Sequence, residues 1–559
     1  MVRGRVVHVL LAAFVLAVTL STAGTAAQTT PRLQRQGRWL VDPHGRVVLV
    51  HGVNAVWKRD PYVPPATKAG FIDADAQWLA RHGFNGARIG VLWVGVTPDA
   101  AGDVDTAYLQ KWDRVVRLLA DRHIWTLFDF HQDMMSPEYQ GEGVPDWAVD
   151  PMKGPANTLP PPQFGFPFNY FTPQVSELYE NLWAEHGIVW DGHRDAWKAV
   201  AAKWGDRPYT MGYDLLNEPW AGEDWPSCLA FPAGCPQVES DKLQPFFEHT
   251  LAGIRSVDPH SLVWFEPQTL SGGTGTPTGY GPVSGESQLG YSWHNYCPHA
   301  ALLQAIQLGL VTQDQVDLSQ TCGDFERRVF EQHLTTANRM RAANAVTEFG
   351  ASDDLTIIRS VTALSDEHLT SWFYWHYKNW LDPTTQSQES GEQGLFAEDD
   401  DLSTLKMDKA RLLVRTYPQA TAGIPKKLSF DPDTGEMRYR YAPRAASAPT
   451  EIFISPLHYP KGYEVIVTGG HVLSDNGRIA TIAPRRGVDT VQVIVRAADA
   501  GGDGGGANGN GNGNDGDGGD DSGVGDAGGS SDLPATGGRA VIVAVVILGL
   551  GVFLIWNRG

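Results

Sequence analysis

A chain of 559 residues is too long for one ordinary domain and points to a large domain with smaller attachments. Its 42% hydrophobic and 19% charged residues are those of a folded protein, and 19 tryptophans suit sugar-binding clefts as well as cores. A formal net charge of −20 argues against nucleic acid as a partner, which needs a basic footprint.

The N-terminus reads "MVRGRVVHVLLAAFVLAVTLSTAGTAAQTT". Arg3 and Arg5, a short apolar run and a tail of small residues make residues 1–27 a secretory signal peptide, cut near Ala27. From there to residue 420, short apolar runs alternate with amphipathic stretches. The strand candidates are "VVLVHGVN", "FNGARIGVLW", "IWTLFDFHQD", "TMGYDLLNEP", "SLVWFEPQ", "GYSWHNY", "NAVTEFG" and "TSWFYWHY". Between them "FIDADAQWLARHG" and "DTAYLQKWDRVVRLLADRH" have helical apolar spacing. Strands that alternate with helices in this number predict an α/β fold, a (β/α)8 TIM barrel over residues 28–420. The strands are nearly all apolar, as strands covered on both faces must be.

Each run places its polar residues at its C-terminal end. They are Asn54, Arg88, His131 with Asp133, Asn217 with Glu218, Glu266 with Gln268, His294 with Tyr296, Glu348, and Trp375 with His376. A barrel gathers these ends on one face, where its active site lies.

Past residue 420 the pattern changes to period two broken by turn signals, which predicts a small β-sandwich over residues 421–497. A flexible Gly/Asn/Asp-rich linker is expected over 498–531. The terminal segment 532–559 carries "LPATGG" and then "RAVIVAVVILGLGVFLIWNRG". Leu-Pro-x-Thr-Gly before a hydrophobic span and a basic end resembles the sorting signal read by sortases of Gram-positive bacteria. That resemblance implies cleavage between Thr536 and Gly537 and attachment to peptidoglycan. The basic end is reduced to Arg558, so membrane anchoring by the apolar span, a transmembrane helix, is the alternative. Both readings place the folded part outside the cell. Four cysteines in an exported chain are expected to pair, as Cys228–Cys235 and Cys297–Cys322. No Cys/His spacing suits zinc, and no metal or cofactor is expected.

Glu218 in "GYDLLNEPWAG" ends the fourth strand and Glu348 in "AVTEFGAS" ends the seventh. Retaining glycosidases place two carboxyls about 5–5.5 Å apart across the glycosidic bond, one as nucleophile and one as acid/base. Asn-Glu-Pro after strand four with Glu after strand seven resembles the cellulase-like glycoside hydrolases of family 5. The resemblance implies that Glu218 is the acid/base and Glu348 the nucleophile. Longer segments, "VHGVNAVWKRDPYVPP", "DFHQDMMSPEYQGEGVPDWAV" and "WFEPQTLSGGTG", are similar to the endoglycoceramidases and related glycolipid hydrolases of that family. That likeness runs from about residue 38 through the sandwich. It implies a retaining endo-β-glycosidase that separates oligosaccharide from ceramide, as a monomer in peripheral contact with lipid aggregates or a membrane surface. Alternatives within the same chemistry are an endogalactosylceramidase, a steryl or simple β-glucosidase and an endo-β-glucanase. A wall-displayed adhesin on a dead barrel is the non-catalytic alternative.

The supporting residues each have a physical task. Arg88 can hold Glu348 ionised and aimed, or serve as a structural ion pair. Asn217 can bond the sugar 2-hydroxyl. Tyr296 can bond the nucleophile and His294 can lie beside the acid/base, or the two can be a satisfied core pair. By the resemblance, His131, Asp133 and Lys58 contact the sugar at the cleavage point, and Trp375 forms the platform beneath it. Lys58 could equally be a solvated loop lysine, and Trp375 core. Asp129, Asp214 and Glu266 read as structural. Glu218 must start protonated, and nearby Glu348 with partial burial is expected to raise its pKa. Two apolar insertions, "PPPQFGFPFNYF" after strand three and "HAALLQAIQLGLVTQDQVD" after strand six, could rim the lipid side or pack on the barrel.

Overall fold

The computed structural model describes residues 30–184, 187–316, 321–380, 382–384 and 391–498. The expected signal peptide, the linker beyond residue 498, the hydrophobic span and the Thr536–Gly537 junction lie outside the described residues. Among the described residues, no helix is long and apolar enough to cross a membrane.

The chain opens with β1 (Gln34–Gln36), β2 (Trp39–Val41) and β3 (Val47–Val48), an antiparallel meander. The barrel follows as β4 (His51–Ala55), β5 (Gly86–Gly90), β6 (Trp125–Asp129), β7 (Thr210–Asp214), β8 (Leu262–Phe265), β9 (Leu289–Asn295), β10 (Ala343–Phe349) and β11 (Ser371–Tyr374). Each pairs in parallel with the next, and β11 closes on β4. Every residue of these strands is buried, so continuous apolar runs are what the architecture requires. Large rings fill the interior against small partners. A Cβ on Gly290 would lie 2.2 Å from the Trp264 ring, and one on Gly52 2.3 Å from Phe373. Helices cover the outside with the expected spacing. Thr106–Ala120, capped by the Asp105 carboxylate, buries Tyr108, Leu109, Trp112, Val115, Val116 and Leu119.

The first predicted run, "VVLVHGVN", proves to be two strands. Val47 and Val48 pair with Thr421 and Ala420 in a different sheet, and only from His51 does the chain enter the barrel. Apolar periodicity alone cannot reveal such a change of partner.

The C-terminal strands are β12 (Tyr417–Thr421), β13 (Gly423–Phe430), β14 (Met437–Pro443), β15 (Thr450–Phe453), β16 (Tyr463–Thr468), β17 (Gly470–Asp475), β18 (Ile479–Pro484) and β19 (Val491–Ala497). They form a seven-stranded sheet in the order β1-β2-β3-β12-β15-β18-β17 and a four-stranded one, β13-β14-β19-β16. Alternate residues of β14 and β19 turn inward, packing Tyr439 and Val493 with Ile452 and Ile482 of the facing sheet. This layer meets the barrel at the N-terminal ends of its strands. There Tyr417 stacks on His51 at 3.6 Å between ring centroids and donates to the Gly83 carbonyl at 2.8 Å. The C-terminal ends of the barrel strands are thus left to the site.

Candidate active site

Arg88 on β5 is fully buried and organises the face. Its Nη1 donates to Glu348 Oε1 at 2.6 Å and to Asn54 Oδ1 at 3.2 Å. Its Nη2 donates to Asn217 Oδ1 at 2.9 Å and pairs with Asp129 at 2.9 Å, while Nε reaches Asp214 at 2.9 Å. A buried guanidinium keeps its charge only among carboxylates, and those around it hold its pKa above the usual value despite burial. Asn217 completes its own bonding through Nδ2 to the Gln132 carbonyl.

Glu348 accepts from Tyr296 on its other oxygen, at 3.1 Å. His294 lies between the two glutamates. Its Nδ1 is 2.8 Å from Glu218 Oε1 and 3.4 Å from Glu348 Oε2. An oxygen of Glu218 and one of Glu348 approach within 4.8 Å. That is the short separation of a direct displacement, with no room for a water between the carboxyls.

Burial raises Glu218 to about 7, and the next largest contribution is the Asp133 charge. The sequence led to a raised pKa from burial and the nearby Glu348, and the direction holds, with burial the larger cause and Asp133 the leading charge. Burial also raises Glu348, while His294 and Arg88 pull it back toward ionisation. Burial pushes His294 down to about 3, so its imidazole is neutral near pH 7.

His131 and Asp133 follow β6. His131 Nδ1 bonds Asp129 at 2.9 Å, its ring stacks on Trp375 at 5.1 Å, and its Nε2 faces Asp133 at 3.8 Å. Burial opposes charge on His131, but the Asp129 charge and the hydrogen bonds to Asp129 and Asp133 together make the net shift upward. Lys58 is not a solvated loop residue. Its Nζ bonds Asp133, lies 3.3 Å from Asp382 and 3.8 Å from Glu142, and sits 4.8 Å from the Trp375 ring centroid. Burial opposes ionisation of Asp133, yet Lys58 and His131 together hold that carboxyl well below its usual value. Trp375 is anchored through Nε1 to Gln393 at 2.8 Å. Among the described residues three groups of ligand-type side chains are mutually close, Cys297–His299–Cys322, whose sulfurs are joined in a disulfide, then Glu218–His294–Glu348, and last His131–Asp133–Glu142. The Lys58 ammonium already supplies the positive charge in the last of them.

Glu218, Glu348, His294 and Tyr296 line one cavity of about 570 Å³, while Arg88 lies fully buried behind Glu348 and Asn217 and off its wall. Lys58, His131, Asp133, Asn217, Glu218 and Glu348 make its polar part, with Trp375 beside them. Phe166, Pro167, Phe171, Leu229, Leu270 and Leu302 make its apolar part. Both predicted insertions contribute. Phe168 from the first packs in one cluster with Leu302, Ala305 and Val311 from the second, so they brace one another and line the cavity. Cys228 pairs with Cys235 beside Leu229, and Cys297, itself on the cavity wall, pairs with Cys322.

Sequence reasoning missed four contributors. Leu229 caps the four-residue helix Trp225–Cys228 and Leu270 lies in the short helix Thr269–Thr274, both too short to show a period. Gln393 comes from a segment far past the last strand. Glu266 stood in plain view at a strand end, but Oε1 accepting the Glu218 backbone N–H at 2.9 Å cannot be read from spacing.

A parallel barrel with paired carboxyls at this separation, on the ends of its fourth and seventh strands, defines a retaining glycosidase. The family model for Cellulase (glycosyl hydrolase family 5) matches residues 41–380, and that for the glycoside hydrolase family 5 C-terminal domain matches residues 415–495. The chain belongs to glycoside hydrolase family 5 and is a retaining glycoside hydrolase. It is 37% identical over 477 residues to endoglycoceramidase I of Rhodococcus hoagii, covering 82% of this chain and 88% of that one. An endoglycoceramidase of Cyanea nozakii is 28% identical over 471 residues, covering 77% and 85%. Among solved structures, endo-glycoceramidase II from Rhodococcus sp. superposes with a TM-score of 0.64 at 26% identity, covering 82% of this chain and 100% of that one. That enzyme has also been solved in complex with ganglioside GM3.

Proposed function

We propose that this protein hydrolyses the bond between oligosaccharide and ceramide in glycosphingolipids. The observation that carries the reading is a single cavity that joins sugar-type partners around Glu218 and Glu348 to a wall of apolar side chains from the two insertions. The names of the relatives support it. A glucanase cleft would need polar and aromatic subsites on both sides of the bond.

Glu348 is the nucleophile. Its carboxylate oxygen attacks the anomeric carbon as Glu218 gives its proton to the glycosidic oxygen, and ceramide leaves as the neutral alcohol. The glycosyl ester that forms has consumed the Glu348 charge, so Glu218 is left ionised beside a neutral ester. It then takes a proton from water, whose oxygen attacks the anomeric carbon and releases the sugar with its β configuration retained. Arg88 and Tyr296 aim the nucleophile, and His294 orients the acid. Asn217, His131, Asp133 and Lys58 hold the sugar over Trp375. The protein works as a monomer on lipid aggregates or membrane surfaces. It is exported and attached through Thr536 to peptidoglycan, or held by its apolar span, on a Gram-positive cell.

Mass spectrometry of products from a ganglioside substrate is the test. An intact oligosaccharide and free ceramide are expected. Stepwise loss of terminal monosaccharides would overturn the reading.

A further inference from the structure

Glu266 stands immediately after β8, one strand around the barrel from Glu218, and takes no part in the bond-making above. It is nevertheless 2% exposed, and its carboxyl faces the Glu218 backbone, His294 and Arg88. Oε1 accepts the backbone N–H of Glu218 at 2.9 Å and lies 3.4 Å from Nε2 of His294. Oε2 is 3.6 Å from Arg88 Nη2. The Glu266 carbonyl accepts from the Tyr280 hydroxyl at 2.7 Å, which fixes this strand end in turn.

Glu218 has a backbone φ of +43°, in the left-handed region that residues with a Cβ rarely adopt. Such a conformation persists only when the surroundings over-determine it. The surroundings here are specific. The Glu218 amide is bound by Glu266, and the Glu218 carboxyl is bound by His294 Nδ1 at 2.8 Å. The far nitrogen of that ring makes no hydrogen bond of ordinary geometry and faces the same Glu266 oxygen. The acid/base is therefore gripped at its backbone by Glu266 and at its carboxyl by His294, whose far nitrogen abuts the same Glu266 oxygen at 3.4 Å.

We propose that Glu266 is a positioning residue for acid catalysis, fixing the backbone and, through His294, the carboxyl of Glu218 so that its proton points at the leaving-group oxygen. The proposal rests on Glu218 being the acid/base. It differs from a purely structural role in one measurable way. The aim of an acid matters in proportion to how much the leaving group needs a proton. A dinitrophenolate leaves without one, and an alkyl alkoxide does not.

The experiment measures kcat/KM, which reports the first irreversible step, for aryl β-lactosides of rising leaving-group pKa and for an alkyl β-lactoside. Wild type, E266A, E266Q and E218Q are compared in the full-length enzyme. For E266A the expected loss is about 100-fold on the alkyl lactoside and within about threefold on the dinitrophenyl lactoside, so the dependence on leaving group steepens toward that of E218Q. E266Q keeps an acceptor oxygen for the Glu218 amide and should recover at least about tenfold of the alkyl loss. Equal losses across the series, or no rescue by E266Q, would overturn the proposal. If E266A does not fold, E266D, whose shorter side chain cannot reach the same amide, carries the same prediction. If E218Q itself leaves the slope unchanged, the assignment of Glu218 fails and this proposal falls with it.

Discussion

At Glu218 the demands of catalysis and of folding pull apart. A carboxyl raised to about 7 is protonated at the start of the reaction, and the alkaline limb of kcat/KM should fall with an apparent pKa near that value. The same shift has a stability cost of known sign. The folded state binds this proton more tightly than the unfolded one, so the contribution is fully present below the ordinary glutamate pKa and is lost as pH rises toward 7. Glu218→Gln should therefore remove most turnover of glycolipid and yet gain in Tm relative to wild type as pH increases from 4 to 8. A Tm difference that does not grow with pH would show that Glu218 is not a buried ionising group. Glu348→Gln should lose activity on every substrate, including activated aryl glycosides, because no ester can form. Asn217 and Glu218 were legible in the sequence because Asn-Glu-Pro halts an apolar strand with chemistry attached. Lys58 came only from the family resemblance, since its burial depends on Asp133 and Glu142 of the loop after β6 and on Asp382 beyond β11.

The elements that surround the apolar wall depend on covalent closure more than on regular packing. The helix His299–Gln307 buries only Leu302 and Ala305, and Leu303 and Leu308 are exposed. Its segment is tied to the longer helix Cys322–Met340 by the Cys297–Cys322 bond, across a separation of 25 residues. In the chain-entropy account, closing a loop of that size contributes about 3–4 kcal/mol against local opening. Reduction, or Cys322→Ser, should loosen the lipid side while Glu218 and Glu348 stay on barrel strand ends. The expected result is a loss of kcat/KM on a ganglioside of about tenfold or more, with hydrolysis of an aryl lactoside within about threefold of the oxidised enzyme. Equal losses on both substrates would mean that the bond supports the catalytic centre as a whole. The eight barrel strands could be read in advance because burial on both faces demands apolar runs. The wall could not, because which face of a short amphipathic segment meets the cavity is decided by tertiary packing such as that of Phe168 with Leu302.

For the whole molecule, the proposed export and anchoring rest on the terminal segments, and stability rests on the folded part. Wall attachment through Thr536 predicts that a muramidase releases active enzyme from cells, and that detergent does not. Detergent extraction of a chain that still carries Arg558 would establish tail anchoring instead. The folded part poses a separate question, whether barrel and sandwich unfold as one. Strands β1–β3 precede the barrel in sequence but belong to the sheet completed by β12, so removing either partner leaves unpaired strand edges. The junction is dry and specific. Tyr417 is packed between His51 and the Gly83 carbonyl, Phe453 fills the space beside Gly83, and the buried Arg415 guanidinium pairs with Asp366 on the barrel helix Leu355–His368. Breaking a buried ion pair by removing one partner costs about 3–5 kcal/mol, because the other charge is stranded. Calorimetry should therefore record one transition with equal calorimetric and van't Hoff enthalpies. Arg415→Met should lower its Tm without splitting it, and two resolved transitions in either protein would show that the sandwich is an independent module.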